Sequence, residues 1–89
     1  MTFKQIEKIS KALGDSNRLK ILKAIQVQEG RLDCTVIVSS LDLAQPSISH
    51  HIKKLLEAEL IESHKEGRFY SYSLRNEVLE EYLQALRKL

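Results

Sequence analysis

The chain has 89 residues, enough for one domain but only for a modest core, so extra stabilisation is expected from a partner chain, a metal or disulfides. Its 43% hydrophobic content excludes disorder, no apolar run nears the roughly 18 residues of a membrane span, and residues 1–5 lack a secretion-signal layout, which predicts a cytoplasmic protein. Cys34 is the only cysteine, so an internal disulfide framework is excluded, and the net charge of +2 permits nucleic-acid binding without demanding it.

Phe3, Ile6, Ile9 and Leu13 recur every three or four residues and predict an amphipathic helix over about 2–13. Gly14 is its expected C-terminal cap, and Asp15 the N-cap of a second helix over about 16–28. Arg18 falls in the first turn of that helix, where a cation opposes the helix dipole and wants an anionic partner. Asp15 or a neighbouring chain is the expected one. Glu29-Gly30-Arg31 reads as a turn.

The next piece is divided. Thr35 to Val38 is β-branched and favours a strand on propensity alone. A short helix over about 35–41, capped by Asp33 or Thr35, fits better, because Asp42-Leu43 is a turn-sized link to another helix. That helix spans about 45–58. Pro46 suits its first turn, while Ala44 cannot cap it. Ile48, Ile52, Leu55 and Leu56 form one apolar stripe. The other side carries small hydroxyls, an imidazole and lysines. Its only acid, Glu57, comes near the end. Short hydrogen-bonding groups followed by cations suit a helix that enters a DNA groove, although an ordinary surface helix shares part of this pattern.

Beyond Glu59 the period changes to two. Residues 60–65 and 69–74 read as strands joined at Glu66-Gly67-Arg68, with Gly67 free to take positive φ. Tyr70, Tyr72 and Leu74 should pack on the helices. Asn76 is the expected cap of a last helix over about 77–88, and Val78, Leu79, Tyr82, Leu83, Leu86 and Leu89 are expected to form its wide apolar face.

The whole is predicted as one mainly α domain over 1–89, with five helices and a small β-hairpin. The order is that of a winged helix-turn-helix, with a recognition helix at about 45–58 and a wing at about 60–74. Two strongly amphipathic end helices exceed what a small core can bury. At roughly 25 cal/mol per Å² of apolar area, pairing with a second copy would add several kcal/mol. A homodimer is expected, with Phe3, Ile6, Ile9, Leu79, Tyr82, Leu83 and Leu86 in its interface.

Three blocks carry a resemblance: Ala12-Leu13-Gly14-Asp15-Ser16-Asn17-Arg18-Leu19-Lys20-Ile21-Leu22, Gln45-Pro46-Ser47-Ile48-Ser49-His50-His51-Ile52-Lys53-Lys54-Leu55, and Gly67-Arg68-Phe69-Tyr70-Ser71-Tyr72-Ser73-Leu74. In order and spacing they resemble the ArsR/SmtB family of bacterial repressors. The resemblance implies a dimer on double-stranded DNA at an inverted-repeat operator, released by an inducer that is often a metal ion. The chain departs from the family on that last point. Arsenic-type sensors carry Cys-Val-Cys where this chain has Asp33-Cys34-Thr35, and the last helix lacks the histidine of the zinc-type sensors. No metal site and no cofactor are therefore expected, and the inducer is unknown.

Gln45, Ser47, Ser49 and His50 are the candidates for base or nearby phosphate contact; Lys53, Lys54, Lys65 and Arg68 are the candidates for the phosphate backbone. His50 and His51 are adjacent, so they point about 100° apart on a helix and do not readily share one ion. His64 is expected in solvent or near phosphate. Cys34 reads as a small packed residue, or as a redox switch if a second thiol comes from elsewhere. One rival keeps the fold but binds protein instead of DNA, and Glu57, Glu59, Glu62 and Glu66 near the presumed DNA face favour it somewhat. An enzyme is not expected: no nucleophile–base pair, phosphate-binding glycine loop or carboxylate pair stands out.

Overall fold

The computed structural model describes residues 1–28 and 30–89, so Glu29 of the expected turn lies outside the described residues. Among the described residues there are five helices and three strands, in the order α1 (Phe3–Leu13), α2 (Ser16–Val27), β1 (Leu32–Asp33), α3 (Cys34–Ser40), α4 (Gln45–Glu57), β2 (Ile61–Glu66), β3 (Phe69–Leu74) and α5 (Asn76–Arg87). The core gathers Ile9 of α1, Ile21 and Ile25 of α2, Ile37 of α3, Ile48, Ile52 and Leu55 of α4, Leu60, Ile61 and Tyr72 of the hairpin region, and Tyr82 of α5. Each helix contributes one stripe, as its period requires.

Local chemistry sets the ends. Thr2 caps α1 in a capping box with Gln5, each side chain meeting the other's backbone N–H. Asp15 caps α2 by accepting the N–H groups of Asn17 at 2.8 Å and Arg18 at 3.4 Å. The Asn17 bond above all holds the Asp15 carboxyl below its ordinary pKa; burial opposes this, and the Arg18 N–H and the Arg18 charge add to it. Two cap expectations need correction. The α3 cap, Asp33, makes no side-chain capping bond. Asn76 is already inside α5, whose cap residue is Arg75; the Arg75 side chain instead meets Glu77 at 3.1 Å.

A third strand was not expected. Leu32 pairs with Tyr72, and Asp33 with Ser71, so β3 lies central in the order β1-β3-β2. β2 and β3 form the expected hairpin, from Ile61 opposite Leu74 to Glu66 opposite Phe69. Gly67 at its tip has φ of 61°. Tyr72 is buried and Leu74 half-buried, as expected, but Tyr70 is exposed. Lys65, directly opposite, places its ammonium 5.6 Å from the Tyr70 ring centroid.

The join between α4 and β2 is tight. Glu59 takes φ of 61°, and the N–H groups of Glu59 and Leu60 bond to the carbonyls of Leu56 and Leu55. These are the two hydrogen bonds of a Schellman turn, here with glutamate in the left-handed position that usually holds glycine. Leu60 and Leu55 are both buried, which anchors the turn on the core.

Candidate nucleic-acid interface

The α3–α4 pair supplies the site. Leu41 ends α3 in extended conformation and a short link leads to Ala44, the uncapped start of α4. The α4 backbone is nonetheless engaged at once, because the Ala44 carbonyl accepts from Ser47 and Ile48. Ile48, Ile52 and Leu55 fix the inner side. Their burial turns Ser47, His50, Lys53 and Lys54 outward, with Ser49 on the flank and Gln45 left open at the first position of the helix, and all six are exposed. These six residues form one polar surface about three turns long. The wing adds Lys65 and Arg68, also exposed, on a separate projection.

The surface is less uniformly basic than its lysines suggest. Lys54 meets Glu57 on the same helix at 3.9 Å. Arg31 meets Glu66 at 3.3 Å, which ties the approach to β1 to the hairpin. His64 is half-buried rather than solvent-facing, its Nε2 being 2.7 Å from the Ser73 hydroxyl.

His51 flanks the polar surface and is half-buried, with its ring 5.9 Å from that of His50. Its Nδ1 lies 3.2 Å from Nη1 of Arg18. Arg18 therefore does not use Asp15 as its side-chain partner. Its remaining donors go to the carbonyls of Ala12 and Lys11 at the end of α1. This answers the dipole problem in the sequence: the cation starts at the positive end of α2 but rests at the negative end of α1. Sequence periodicity held no signal for this contact, which joins residues 33 positions apart.

The expected dimer residues divide in two. Ile9 and Tyr82 are buried within the protomer, and the Tyr82 hydroxyl meets that of Ser10 at 2.7 Å, joining α5 to α1. Phe3 remains 80% exposed, and Leu83 and Leu86 are exposed as well; Ile6 and Leu79 are partly covered. Between α1 and α5 lies an open cleft of about 810 Å³ lined by Met1, Phe3, Ile6 and the glutamates 77, 80 and 81.

Cys34 is half-buried beside Tyr72, whose hydroxyl is pushed up in pKa chiefly by burial, with Cys34 and Tyr70 adding to it. Cys34 is the single cysteine of the chain. Among the described residues no three His, Cys, Asp or Glu side chains gather where they could hold an ion. Among the same residues no helix is long and apolar enough to cross a membrane.

The match to known proteins follows this geometry. The family model for bacterial regulatory proteins of the arsR family matches residues 15–63, from the cap of α2 to the first residues of β2. The chain belongs to the ArsR family. An arsenical resistance operon repressor of Staphylococcus aureus is 34% identical over 86 residues, covering 97% of this chain and 81% of the relative. An ArsR-like transcriptional regulator from Rhodococcus sp. RHA1 superposes with a TM-score of 0.84 at 22% identity, over 97% of this chain and 79% of the other. A homodimeric winged helix-turn-helix DNA-binding domain from Mycobacterium bovis, described as a possible ArsR-family regulator, gives 0.76 at 22% identity over 96% and 80%. The architecture of this ArsR-family chain is thus the winged helix-turn-helix, and by family it is a transcriptional regulator and not an enzyme.

Proposed function

We propose that this ArsR-family protein is a homodimeric repressor that reads an inverted-repeat operator in double-stranded DNA. The observation that carries the reading is the two-sidedness of α4: Ile48, Ile52 and Leu55 are buried, while Gln45, Ser47, Ser49, His50, Lys53 and Lys54 stand exposed together. Placed in a major groove, Gln45, Ser47, Ser49 and His50 meet base edges or nearby phosphates, and Lys53 and Lys54 meet the backbone. Lys65 and Arg68 extend the backbone contact through the wing. One protomer with so little excess charge binds weakly; two protomers double the phosphate contacts.

Dimerisation is supported by the exposed Phe3, Leu83 and Leu86 on α1 and α5, and by the homodimeric M. bovis domain of the same fold. Two copies of α4 would address half-sites about one helical turn apart, roughly 34 Å. The S. aureus relative is named as a repressor, which supports the direction of regulation. A cytoplasmic location follows from that role. The donor chemistry around Cys34 and α5 supports release by something other than the family's metal ions. We assign Cys34 a packing role at the start of α3, where its partial burial beside Tyr72 leaves the thiol less accessible than a sensor needs.

The test is selection from a pool of randomised duplexes by the purified protein, followed by a mobility shift at low salt. A recovered inverted repeat bound by a dimer is the expected outcome. Absence of any shift, on selected or random duplex, would transfer the α4 surface to a protein partner.

A further inference from the structure

Arg18 stands where three helices meet. It leaves the first turn of α2 and runs back to α1, donating from Nε to the Ala12 carbonyl and from Nη2 to the Lys11 carbonyl at 3.2 Å. Oxygens in the last turn of a helix lack the intrahelical N–H partners of earlier ones and carry its negative end. The remaining arm, Nη1, faces Nδ1 of His51 on α4 at 3.2 Å. A guanidinium only donates, so Nδ1 must accept. The contact therefore requires a neutral His51 ring with its proton on Nε2.

Beyond the Schellman turn that holds its C-terminal end, the remaining anchorage of α4 has a different character. Ile48, Ile52 and Leu55 hold the helix by burial, which is non-directional. An aliphatic stripe resists lifting the helix off the core but resists rolling it only weakly. Hydrogen bonds weaken steeply away from linearity, so a bond from a fixed guanidinium to a ring on the flank of the helix does resist roll. Arg18 is itself fixed at both ends: Asp15 holds its backbone N–H, and the α1 carbonyls hold its fork. α2 packs on both α1 and α4, and Arg18 makes a polar link at that junction.

We propose that Arg18 is a positioning residue that sets the roll of α4 through His51, and so decides which side chains of α4 face the bases. His51 serves as its acceptor and not as a DNA contact. The proposal rests on the reading of α4 as the DNA-reading helix. Because α1 is also a candidate dimer helix, the same link ties the orientation of each reading helix to the helix beside the two-fold axis.

Three variants test it on the duplex that the wild-type protein selects from a random pool, with random duplex as the comparison. Arg18→Met keeps the aliphatic stem and removes the fork. His51→Leu removes the acceptor. His51→Asn restores one, since Oδ1 of asparagine takes the place of Nδ1. Arg18→Met and His51→Leu should bind the selected duplex roughly tenfold more weakly, with random duplex changed by less than about threefold. His51→Asn should recover most of the loss. Circular dichroism melts establish that each variant is folded at the assay temperature. If Arg18→Met does not fold, the two His51 variants carry the test alone. His51→Asn binding as weakly as His51→Leu would overturn the proposal, as would equal loss on both duplexes or unchanged preference in Arg18→Met. A wild-type protein that selects no duplex would overturn the DNA reading itself, an outcome distinct from these.

Discussion

Glu57 should hold this protein back from DNA. Its carboxylate lies 3.9 Å from the Lys54 ammonium, and both side chains are close to half exposed. An exposed pair of this kind is worth about 0.2–1 kcal/mol. To reach a phosphate, Lys54 must give up that partner, and Glu57 is then left near the duplex with no cation. Like charges about 8 Å apart in water repel by about 0.5 kcal/mol before screening. Glu57→Gln removes both costs, about 0.5–1 kcal/mol per protomer once salt screens the repulsion to roughly half, which for a dimer is roughly 5- to 30-fold tighter binding. Lys54→Ala acts the other way. Losing one phosphate contact per protomer flattens the dependence of log K on log salt by about 0.9 each, or about 1.8 for the dimer. Over a fourfold rise in salt that amounts to about 12-fold less loss of affinity. Fluorescence anisotropy titrations of selected and random duplexes, at about 50 to 200 mM salt, read both quantities. Glu57→Gln binding no tighter than wild type, or an unchanged slope in Lys54→Ala, would refute the placement of this pair against the backbone.

Three more predictions follow from the same structure. Gln45→Ala and His50→Ala should relax sequence preference while leaving the salt slope nearly intact, measured by repeating the duplex selection; a uniform loss on all DNA would contradict base contact. The Asp15 carboxyl has its folded pKa below its unfolded one, so its stabilising contribution is complete above the ordinary carboxylate range and is lost as pH falls through the folded value. Asp15→Asn keeps a capping oxygen but does not titrate, and should flatten the acid limb of thermal stability below about pH 4; an unchanged acid limb would count against the cap. Glu59→Gly relieves the left-handed backbone at φ of 61° and should stabilise by about 1 kcal/mol, raising the unfolding midpoint by roughly 4–8 °C; a lower midpoint would show that the Glu59 side chain holds the turn.

Much of this architecture is legible in the residues themselves. The inner stripe of α4, the Asp15 cap and the positive φ of Gly67 all follow from local rules, because each depends on residues within a turn of one another. The misses share the opposite character. β1 has two residues and no period of its own; it exists only because Leu32 finds Tyr72, 40 positions away. The Arg18–His51 contact likewise depends on where α2 and α4 come to rest. Ile9 and Tyr82 illustrate a third limit. An apolar stripe announces that it will be covered but not by what, so two residues suited to a dimer face turn out to be covered by their own chain. The outward side of α4 is readable for a simpler reason: once the inner stripe is assigned, helical geometry leaves Ser47, His50, Lys53 and Lys54 nowhere else to go, while Gln45 is exposed by its place at the helix start.

The Schellman turn at Ala58–Leu60 joins α4 to β2 without slack, with Leu60 and Leu55 buried on either side of it. Helix and hairpin therefore behave as a single tool with a fixed bend. One residue inserted at that bend would turn the hairpin by up to about 100° relative to the helix and break both hydrogen bonds. Residues inserted at the Gly67 tip would only lengthen the finger. As sequences of this kind diverge, the reach of the wing is free to drift, while its aim is inherited.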